Sequence, residues 1–315
     1  MIKPRIILIA GPTGVGKTAA SVFLAKKIDT DIISCDSMQI YKGMDIGTAK
    51  VTSEEAMGVR HYMTDIINPA QSFSVADYVK TATPIVYDIA SSGKPALLVG
   101  GTGLYADSLI KGTDFQEEAA ADPDYRTEMF DIAEEKGAEY VHSMLMDVDP
   151  ESARNIHPNN IKRVIRALEY YHATGEKISE HNEQTKAIES PFESLRLYFT
   201  RDREALYYRI DKRVDMMVEK GLLNEVEKLL SLGVPRESTA MQALGYKEMA
   251  DAIEGLITFD EAIDIIKRDS RRYAKRQLTW FRRDKEGIWL NLDDIPTPED
   301  VAEKCMKIIK ERNML

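Results

Sequence analysis

The residues GPTGVGKT match the G-x-x-x-x-G-K-[ST] pattern of a P-loop. Glycines in such a loop let backbone N–H groups curl around phosphate oxygens, Lys17 supplies a positive charge, and the Thr18 hydroxyl can hold Mg²⁺. A structural glycine-rich turn is the alternative. The pattern indicates a bound pyrophosphate group but not what is attached to it. The predicted diphosphate or nucleotide site comprises Gly11, Pro12, Thr13, Gly14, Val15, Gly16, Lys17 and Thr18.

Two polar side chains follow later apolar runs. Asp36 comes directly after DIISC, and Thr102 follows PALLVGG. Open α/β sheets place their ligands at the carboxyl ends of strands, so Asp36 is a candidate general base facing the P-loop. A helix-capping Asp-Ser pair and a plain tight turn are the respective alternatives. The PALLVGGTGLY run contains no acid, although a P-loop enzyme that transfers phosphoryl groups needs a carboxylate to hold magnesium there.

The elements that must position these residues alternate between strand and helix. RIILIA, DIISC and PALLVG are predicted strands, with helices between them, which indicates an α/β fold with a P-loop NTPase-like parallel sheet flanked by helices. The pattern then changes to helices alone before the return strand LRLYFT. We predict a P-loop catalytic core formed by residues 1–114 together with 193–315, and an inserted all-helical subdomain at residues 115–192.

Composition restricts the class of protein. The 315 residues are 43% hydrophobic, enough to bury a core, and no apolar run approaches membrane-spanning length. Two cysteines are too few for a disulfide framework, so we expect a cytoplasmic protein without a membrane partner. The net charge is −10, but charge is unevenly distributed: residues 267–283 contain eight basic residues and one acid. This basic segment could hold a polyanion, and a solvated helix face is the alternative.

Eight segments occur in a characteristic order: GPTGVGKT, DSMQIYKGMDIGTAK, LLVGGTGLY, ADPDYR, IHPNNIKRVIRALE, RVDMMVEKGLLNEV, ALGYKE and YAKRQLTWFRR. Together they resemble the bacterial tRNA dimethylallyltransferases, also called tRNA isopentenyltransferases, over nearly the whole chain. The resemblance implies transfer of the dimethylallyl group from dimethylallyl diphosphate to N6 of adenine 37, beside the tRNA anticodon. The bond broken is then carbon–oxygen and diphosphate leaves, which explains why no acid is needed in PALLVGGTGLY.

The resemblance also implies catalytic roles. Lys17 and a Mg²⁺ ion on Thr18 would neutralise the departing diphosphate, and Asp36 would deprotonate the attacking amine. Two arginines spaced i, i+4 would close over the diphosphate opposite the P-loop, unless they form surface ion pairs with Asp211 or Asp215. The expected catalytic residues are Lys17, Thr18, Asp36, Thr102, Arg209 and Arg213.

The tRNA contacts are likewise implied by the resemblance. The target nucleotide is expected to meet Asp36, Ser37, Met38, Gln39 and Thr102. The helical insertion is expected to grip the anticodon stem-loop through Arg126, Lys162, Arg163 and Arg166. Further expected contacts are Gln242, Gly245, Lys247, Lys275, Arg276 and Gln277. Three other functions stay open: a small-molecule kinase with ATP in the P-loop, an isopentenyltransferase for free adenine nucleotides, and a P-loop RNA-binding regulator. We expect a monomer.

Overall fold

The structure is a computed structural model that describes residues 3–113, 122–187 and 189–315, of which residues 184–187 are described by their backbone. The chain forms two compact units, one made of Met1–Gly112 and Pro191–Leu315 and the other of Thr113–Ser190. The domain boundary expected at 114/115 lies outside the described residues. No helix among those described is long and apolar enough to cross a membrane.

The first unit contains six strands: β1 (Arg5–Ala10), β2 (Ile32–Ser34), β3 (His61–Tyr62), β4 (Ala96–Gly100), β5 (Glu193–Thr200) and β6 (Ile288–Asn291). They form one sheet in the order β3-β2-β4-β1-β5-β6, in which every pair of neighbouring strands is parallel. After Arg5, the central strand β1 is a buried aliphatic run, as parallel strands covered by helices on both faces require. Ile7 of that strand lies opposite Leu97 of β4 and Leu195 of β5. The predicted fold class is therefore confirmed.

Three helices connect the first four strands of the sheet, and a fourth follows β4. The third of them begins with a capping box, in which the Ser74 hydroxyl accepts from the Asp77 N–H and the Asp77 carboxylate accepts from the Ser74 N–H. Gly112 ends the fourth helix in the left-handed conformation, with φ +63°. These helices are α1 (Lys17–Ile28), α2 (Ser53–Ala56), α3 (Val75–Ser91) and α4 (Gly103–Lys111).

The second unit is wholly helical among its described residues and has its own core. Apolar side chains spaced three or four residues apart on its longer helices pack together, including Met129, Val141, Leu145, Val164 and Leu168. The helices are α5 (Pro123–Lys136), α6 (Ala138–Val148), α7 (Pro150–Asn155), α8 (Ile161–Thr174) and α9 (Ile178–Ala187).

The chain returns to the sheet through β5 and then builds the other side of the first unit. The longest helix of this part starts with a capping box between Thr258 and Glu261 and carries most of the basic segment. The last helix packs against α1. The helices are α10 (Arg203–Glu219), α11 (Leu222–Ser231), α12 (Tyr246–Ile253), α13 (Phe259–Phe281) and α14 (Pro298–Glu311), with a 3₁₀ turn at Leu292–Asp294.

Candidate active site

The P-loop joins β1 to α1 and passes very close to the neighbouring strand. A Cβ atom on Gly11 would lie 2.5 Å from the carbonyl oxygen of Phe199 on β5, so only glycine fits there. Gly16 caps the start of α1 with a φ of +111°, which glycine adopts most readily. Lys17 begins the helix, and its Nζ donates to Gly11 O at 2.8 Å and to Pro12 O at 3.0 Å. The Lys17 ammonium group is therefore held by the backbone of its own loop.

The charge on Lys17 is poorly compensated. Burial and, to a smaller extent, the nearby Arg213 guanidinium lower the pKa of Lys17 to about 8. The carboxylate of Asp36 opposes this shift but does not cancel it. Two cations beside one carboxylate favour binding of an additional anion.

Asp36 follows β2 at the carboxyl end of the sheet. The strand pairing continues to Cys35, whose N–H donates to Val99 O at 2.8 Å, so the next residue is placed at the rim of the sheet. Asp36 Oδ1 accepts from Met38 N–H at 3.0 Å within a turn over residues 36–40, so this aspartate does not cap a helix. Among the described residues, Asp36 Oδ2 accepts no hydrogen bond. This second oxygen is available to accept a proton.

Thr102 contacts the turn that follows Asp36. Its Oγ1 accepts from Ser37 N–H at 3.0 Å and donates to Ser37 Oγ at 3.2 Å. Tyr273 of α13 lines the cavity described below. Burial, together with the charge of Asp36, raises the pKa of Tyr273 to about 12, so this phenol stays protonated. Thr102 therefore holds the turn after Asp36 and does not itself line the cavity described below.

Arg209 and Arg213 both project from α10 towards the P-loop side. Arg209 Nε donates to Gly14 O at 2.9 Å, and Arg213 Nη2 lies 3.4 Å from Thr48 O. Burial lowers the pKa of Arg213, and the Asp36 carboxylate opposes that change.

The alternative that these arginines form surface ion pairs with the acids of their own helix is wrong. Asp211 instead pairs with Arg271 at 2.5 Å, and Asp215 pairs with Lys267 at 2.5 Å, both on α13. Arg209 and Arg213 are therefore not neutralised by the acids of α10.

One cavity of about 640 Å³ brings these groups together. Its polar wall is formed by the P-loop, by Asp36 and by the two α10 arginines. Apolar side chains also line it: Met38, Val214, Met217, Ala243, Leu244 and Ile266. A ligand that combines an anionic group with a small hydrocarbon group matches this mixed lining.

The other residues expected to contact tRNA divide into two groups in this unit. Some line the cavity: Ser37, Met38, Gln39, Gly245, Arg276 and Gln277. Others lie outside it: Gln242, Lys247 and Lys275. Gln242 Nε2 donates to Arg236 O at 2.8 Å, while Lys247 and Lys275 are exposed.

Gln277 is buried, with 6% of its surface exposed, and its amide is used inside the protein. Its Oε1 accepts from Thr13 N–H at 2.9 Å, and its Nε2 donates to Gly101 O at 2.9 Å. This side chain therefore ties α13 to the P-loop and to the end of β4, a different role from the expected tRNA contact.

The basic side chains at residues 267–283 differ in what they contact. Lys267 and Arg271 pair with acids of α10, and Arg268 and Arg272 pair with Asp269. Arg276 instead lines the cavity, with its guanidinium 5.5 Å from the centre of the Tyr273 ring. Four of the eight basic side chains of this segment thus form ion pairs within the fold, and Arg276 lines the cavity.

The four basic residues expected to grip tRNA lie on α5 and α8 of the helical unit. Arg126 and Arg166 contact Glu169, at 2.7 and 3.3 Å, and that carboxylate is fully buried. Lys162 and Arg163 are exposed on α8 and form no ion pair within the described part of the chain. The first two therefore stabilise the unit, while the last two present free charge to solvent.

Sequence reasoning missed three residues that line the cavity or hold segments around it. Arg201 donates to Val15 O at 3.0 Å and pairs with Asp293 at 2.6 Å. It directly follows β5, so the strand-end rule that found Asp36 could also have found it. Tyr273 lies one helical turn before Gln277 on the same face. Glu225 of α11 accepts from the N–H groups of residues 45–47, whose loop lines part of the cavity. It gives no comparable signal in the sequence, where it is one charged residue on an amphipathic helix.

Comparisons with known proteins agree on one family. The model of the IPP transferase family matches residues 39–284. A tRNA dimethylallyltransferase of Carboxydothermus hydrogenoformans is 51% identical, covering 99% of both chains, and one of Halalkalibacterium halodurans is 46% identical, covering 98% of this chain and 96% of its own.

Solved structures give the same answer. The full-length tRNA isopentenylpyrophosphate transferase of Bacillus halodurans superposes with a TM-score of 0.73 at 45% identity, covering 98% of this chain and 96% of its own. A eukaryotic dimethylallyltransferase acting on tRNA gives a TM-score of 0.84 at 29% identity, over 98% and 79%. The P-loop, the strand-end carboxylate and the near full-length similarity lead to one conclusion: this chain belongs to the IPP transferase family, together with the bacterial tRNA dimethylallyltransferases.

Proposed function

We propose that this enzyme transfers the dimethylallyl group of dimethylallyl diphosphate to N6 of adenine 37 in tRNA, beside the anticodon. The observation that supports this most directly is that one cavity is lined by a phosphate-binding loop, by a carboxylate with an unused oxygen and by several apolar side chains. Family membership and the names of its relatives support tRNA as the acceptor.

The P-loop side of the cavity serves the leaving group. As C1 of the dimethylallyl group parts from its oxygen, negative charge grows on the diphosphate. The charges of Lys17, Arg209 and Arg213 surround the place where this charge develops, and they are already oriented by carbonyl oxygens of the protein. Such preorganised charges stabilise a transition state without reorganisation. No phosphoryl group is transferred, so ATP is not consumed.

Asp36 serves the nucleophile. An adenine N6 amine is weakly nucleophilic, and the new N6–C1 bond leaves an extra proton on that nitrogen. The free Oδ2 of Asp36 accepts this proton, while Oδ1 stays bound to Met38 N–H. General-base assistance of this kind contributes about 10²–10⁴-fold in rate. The electron pair of the broken C1–O bond leaves with the diphosphate, so the step is balanced.

A magnesium ion fits the P-loop side of the cavity. Thr18 lies there at the start of α1 with an exposed side chain. The described residues contain no group of three or more acidic, histidine or cysteine side chains that could bind a metal alone. Magnesium commonly keeps several waters and binds through few protein oxygens and substrate phosphates, which suits this arrangement. The ion would neutralise charge on the diphosphate.

The helical unit is proposed to hold the anticodon stem-loop. Lys162 and Arg163 carry exposed positive charge on α8, as contacts to RNA phosphates require. The target adenine must leave its stack to enter the cavity, where Ser37 to Gln39 line the wall.

The test is incubation of the enzyme with bulk tRNA and labelled dimethylallyl diphosphate, without ATP, followed by digestion to nucleosides. We expect the label in N6-modified adenosine and one diphosphate released per transfer, and we expect Lys17→Ala to abolish both. A requirement for ATP hydrolysis, or equal labelling of free AMP, would replace this function by a kinase or by a free-nucleotide transferase.

A further inference from the structure

The loop at residues 45–49 forms part of the cavity wall and contacts two residues of the site. Its Gly47, Thr48 and Ala49 line the cavity. The carbonyl oxygen of Thr48 lies 3.4 Å from Arg213 Nη2 and 3.3 Å from Gln39 Nε2. The position of this one carbonyl therefore influences both the Arg213 guanidinium and the Gln39 amide, two groups of the cavity lining.

The loop is held from behind by one carboxylate of α11. Glu225 Oε2 accepts from the N–H groups of Asp45 at 2.8 Å and Ile46 at 2.9 Å. Glu225 Oε1 accepts from the Gly47 N–H at 3.1 Å and from the Tyr246 hydroxyl at 2.6 Å. Three successive backbone donors and one phenol thus converge on a single side chain. Charge-assisted hydrogen bonds are about twice as strong as neutral ones, so this carboxylate is a strong restraint on the loop.

The packing around the loop leaves little room for another arrangement. A Cβ atom on Gly47 would overlap the ring of Tyr246, so the backbone rests directly on α12. At the far end, Lys50 Nζ donates to Tyr41 O at 2.6 Å and pairs with Asp45 at 2.8 Å and Asp65 at 2.5 Å. The loop is therefore fixed at both ends, and Glu225 sets the orientation of the peptide groups between them.

We propose that Glu225 is a positioning residue for the transfer reaction. By binding the amides of residues 45–47, it holds the Thr48 carbonyl where that carbonyl orients Arg213 towards the diphosphate and Gln39 towards the nucleotide. Glu225 does not touch either substrate and acts only through the loop. The inference rests on the proposed function for the identity of the anion, but the binding step it predicts can be measured without tRNA.

The experiment compares Glu225→Gln and Tyr246→Phe with Glu227→Gln, a matched control at an exposed position of the same helix. Inorganic pyrophosphate is titrated into each full-length protein by calorimetry, and thermal unfolding is recorded alongside. Glutamine retains one good acceptor oxygen for four donors, so we expect about 10-fold weaker binding for Glu225→Gln. Removal of a single hydroxyl in Tyr246→Phe is expected to weaken binding about 3-fold. Glu227→Gln should match the wild type.

A double-mutant cycle shows whether the effect passes through Arg213. In an Arg213→Ala background, Glu225→Gln should weaken pyrophosphate binding less than 2-fold, because the guanidinium that the loop orients is gone. An undiminished 10-fold loss in that background, or wild-type binding by Glu225→Gln alone, would overturn the inference. Pyrophosphate binding without transfer to tRNA would reject the proposed function alone, whereas a wild-type protein that binds no pyrophosphate would reject both.

Discussion

The Gln277 amide binds the P-loop at Thr13, 264 positions away in the sequence, with 2.9 Å between Gln277 Oε1 and Thr13 N. Gln277→Ala would leave this backbone donor and the Gly101 carbonyl without their partner in a buried place. We expect a loss of about 1–3 kcal/mol in the free energy of unfolding and a raised KM for dimethylallyl diphosphate. Urea unfolding and steady-state kinetics check this, with exposed Thr279→Ala on the same helix as control. A raised KM for tRNA at unchanged stability would favour a direct RNA contact.

Asp36 is expected to govern the chemical step. Asp36→Asn keeps an oxygen for the Met38 N–H but cannot accept a proton, so the single-turnover rate should fall by about 10²–10⁴-fold. The dissociation constant of the anticodon stem-loop should change little. Rapid quenching at saturating substrates measures the rate, and Asp31→Asn, at the other end of β2, is the control. A near-normal rate would remove Asp36 from the mechanism.

The lowered pKa of Lys17 predicts a pH dependence of donor binding. In the folded protein Lys17 loses its proton at a pH of about 8 instead of 10.5, so between these values the folded state binds fewer protons than the unfolded state. The contribution of Lys17 to the free energy of unfolding therefore rises with pH across this window. Its contribution to binding runs in the opposite direction, because only the charged amine attracts a diphosphate.

Affinity for dimethylallyl diphosphate without tRNA should consequently fall towards 10-fold per pH unit above about pH 8. The phosphates of the donor are essentially fully ionised in that range and add little to the slope. Lys17→Arg keeps its charge and should give a flatter profile. Equal slopes for the two proteins, measured by calorimetry, would show that Lys17 does not titrate there.

The basic residues of the helical unit should separate into two classes. Lys162→Ala with Arg163→Ala removes exposed charge, so the KM for the stem-loop should rise and its salt dependence should flatten, with unchanged stability. Arg126→Ala instead removes a partner of the buried Glu169 and should destabilise the unit by about 1–3 kcal/mol. Kinetics at several salt concentrations and limited proteolysis distinguish the classes. The same outcome for both variants would contradict this division.

Local patterns in the sequence predicted the parts of the fold that depend on neighbouring residues. The P-loop, four of the six strands and the long amphipathic helices all follow from spacing within about twenty residues. Strands β3 and β6 were missed because two and four residues are too few to show a period. The last helix was not predicted either, although Thr297 and Asp300 form an N-terminal cap that could have shown its start.

The site was less predictable because its hydrogen bonds join distant segments. Gln277 sits among arginines and so resembles an RNA contact, although its partners are Thr13 and Gly101. Arg126 and Arg166 are indistinguishable from Lys162 and Arg163 until the buried Glu169 is placed beside them. A sequence shows which side chains carry charge, but the pairing of that charge is a property of the folded chain.

The position of β5 beside β1 affects how the protein is made on the ribosome. The central strand emerges first, yet its neighbour on one side, Glu193–Thr200, is translated more than 180 residues later, after the whole helical unit. The helical unit is continuous in sequence and has its own core, so it can fold as it emerges. The nascent sheet must meanwhile remain incomplete, with one edge of its most apolar strand unpaired. Synthesis therefore includes an interval in which this unpaired edge of β1 can pair with another chain, so association during folding is a hazard of this strand order.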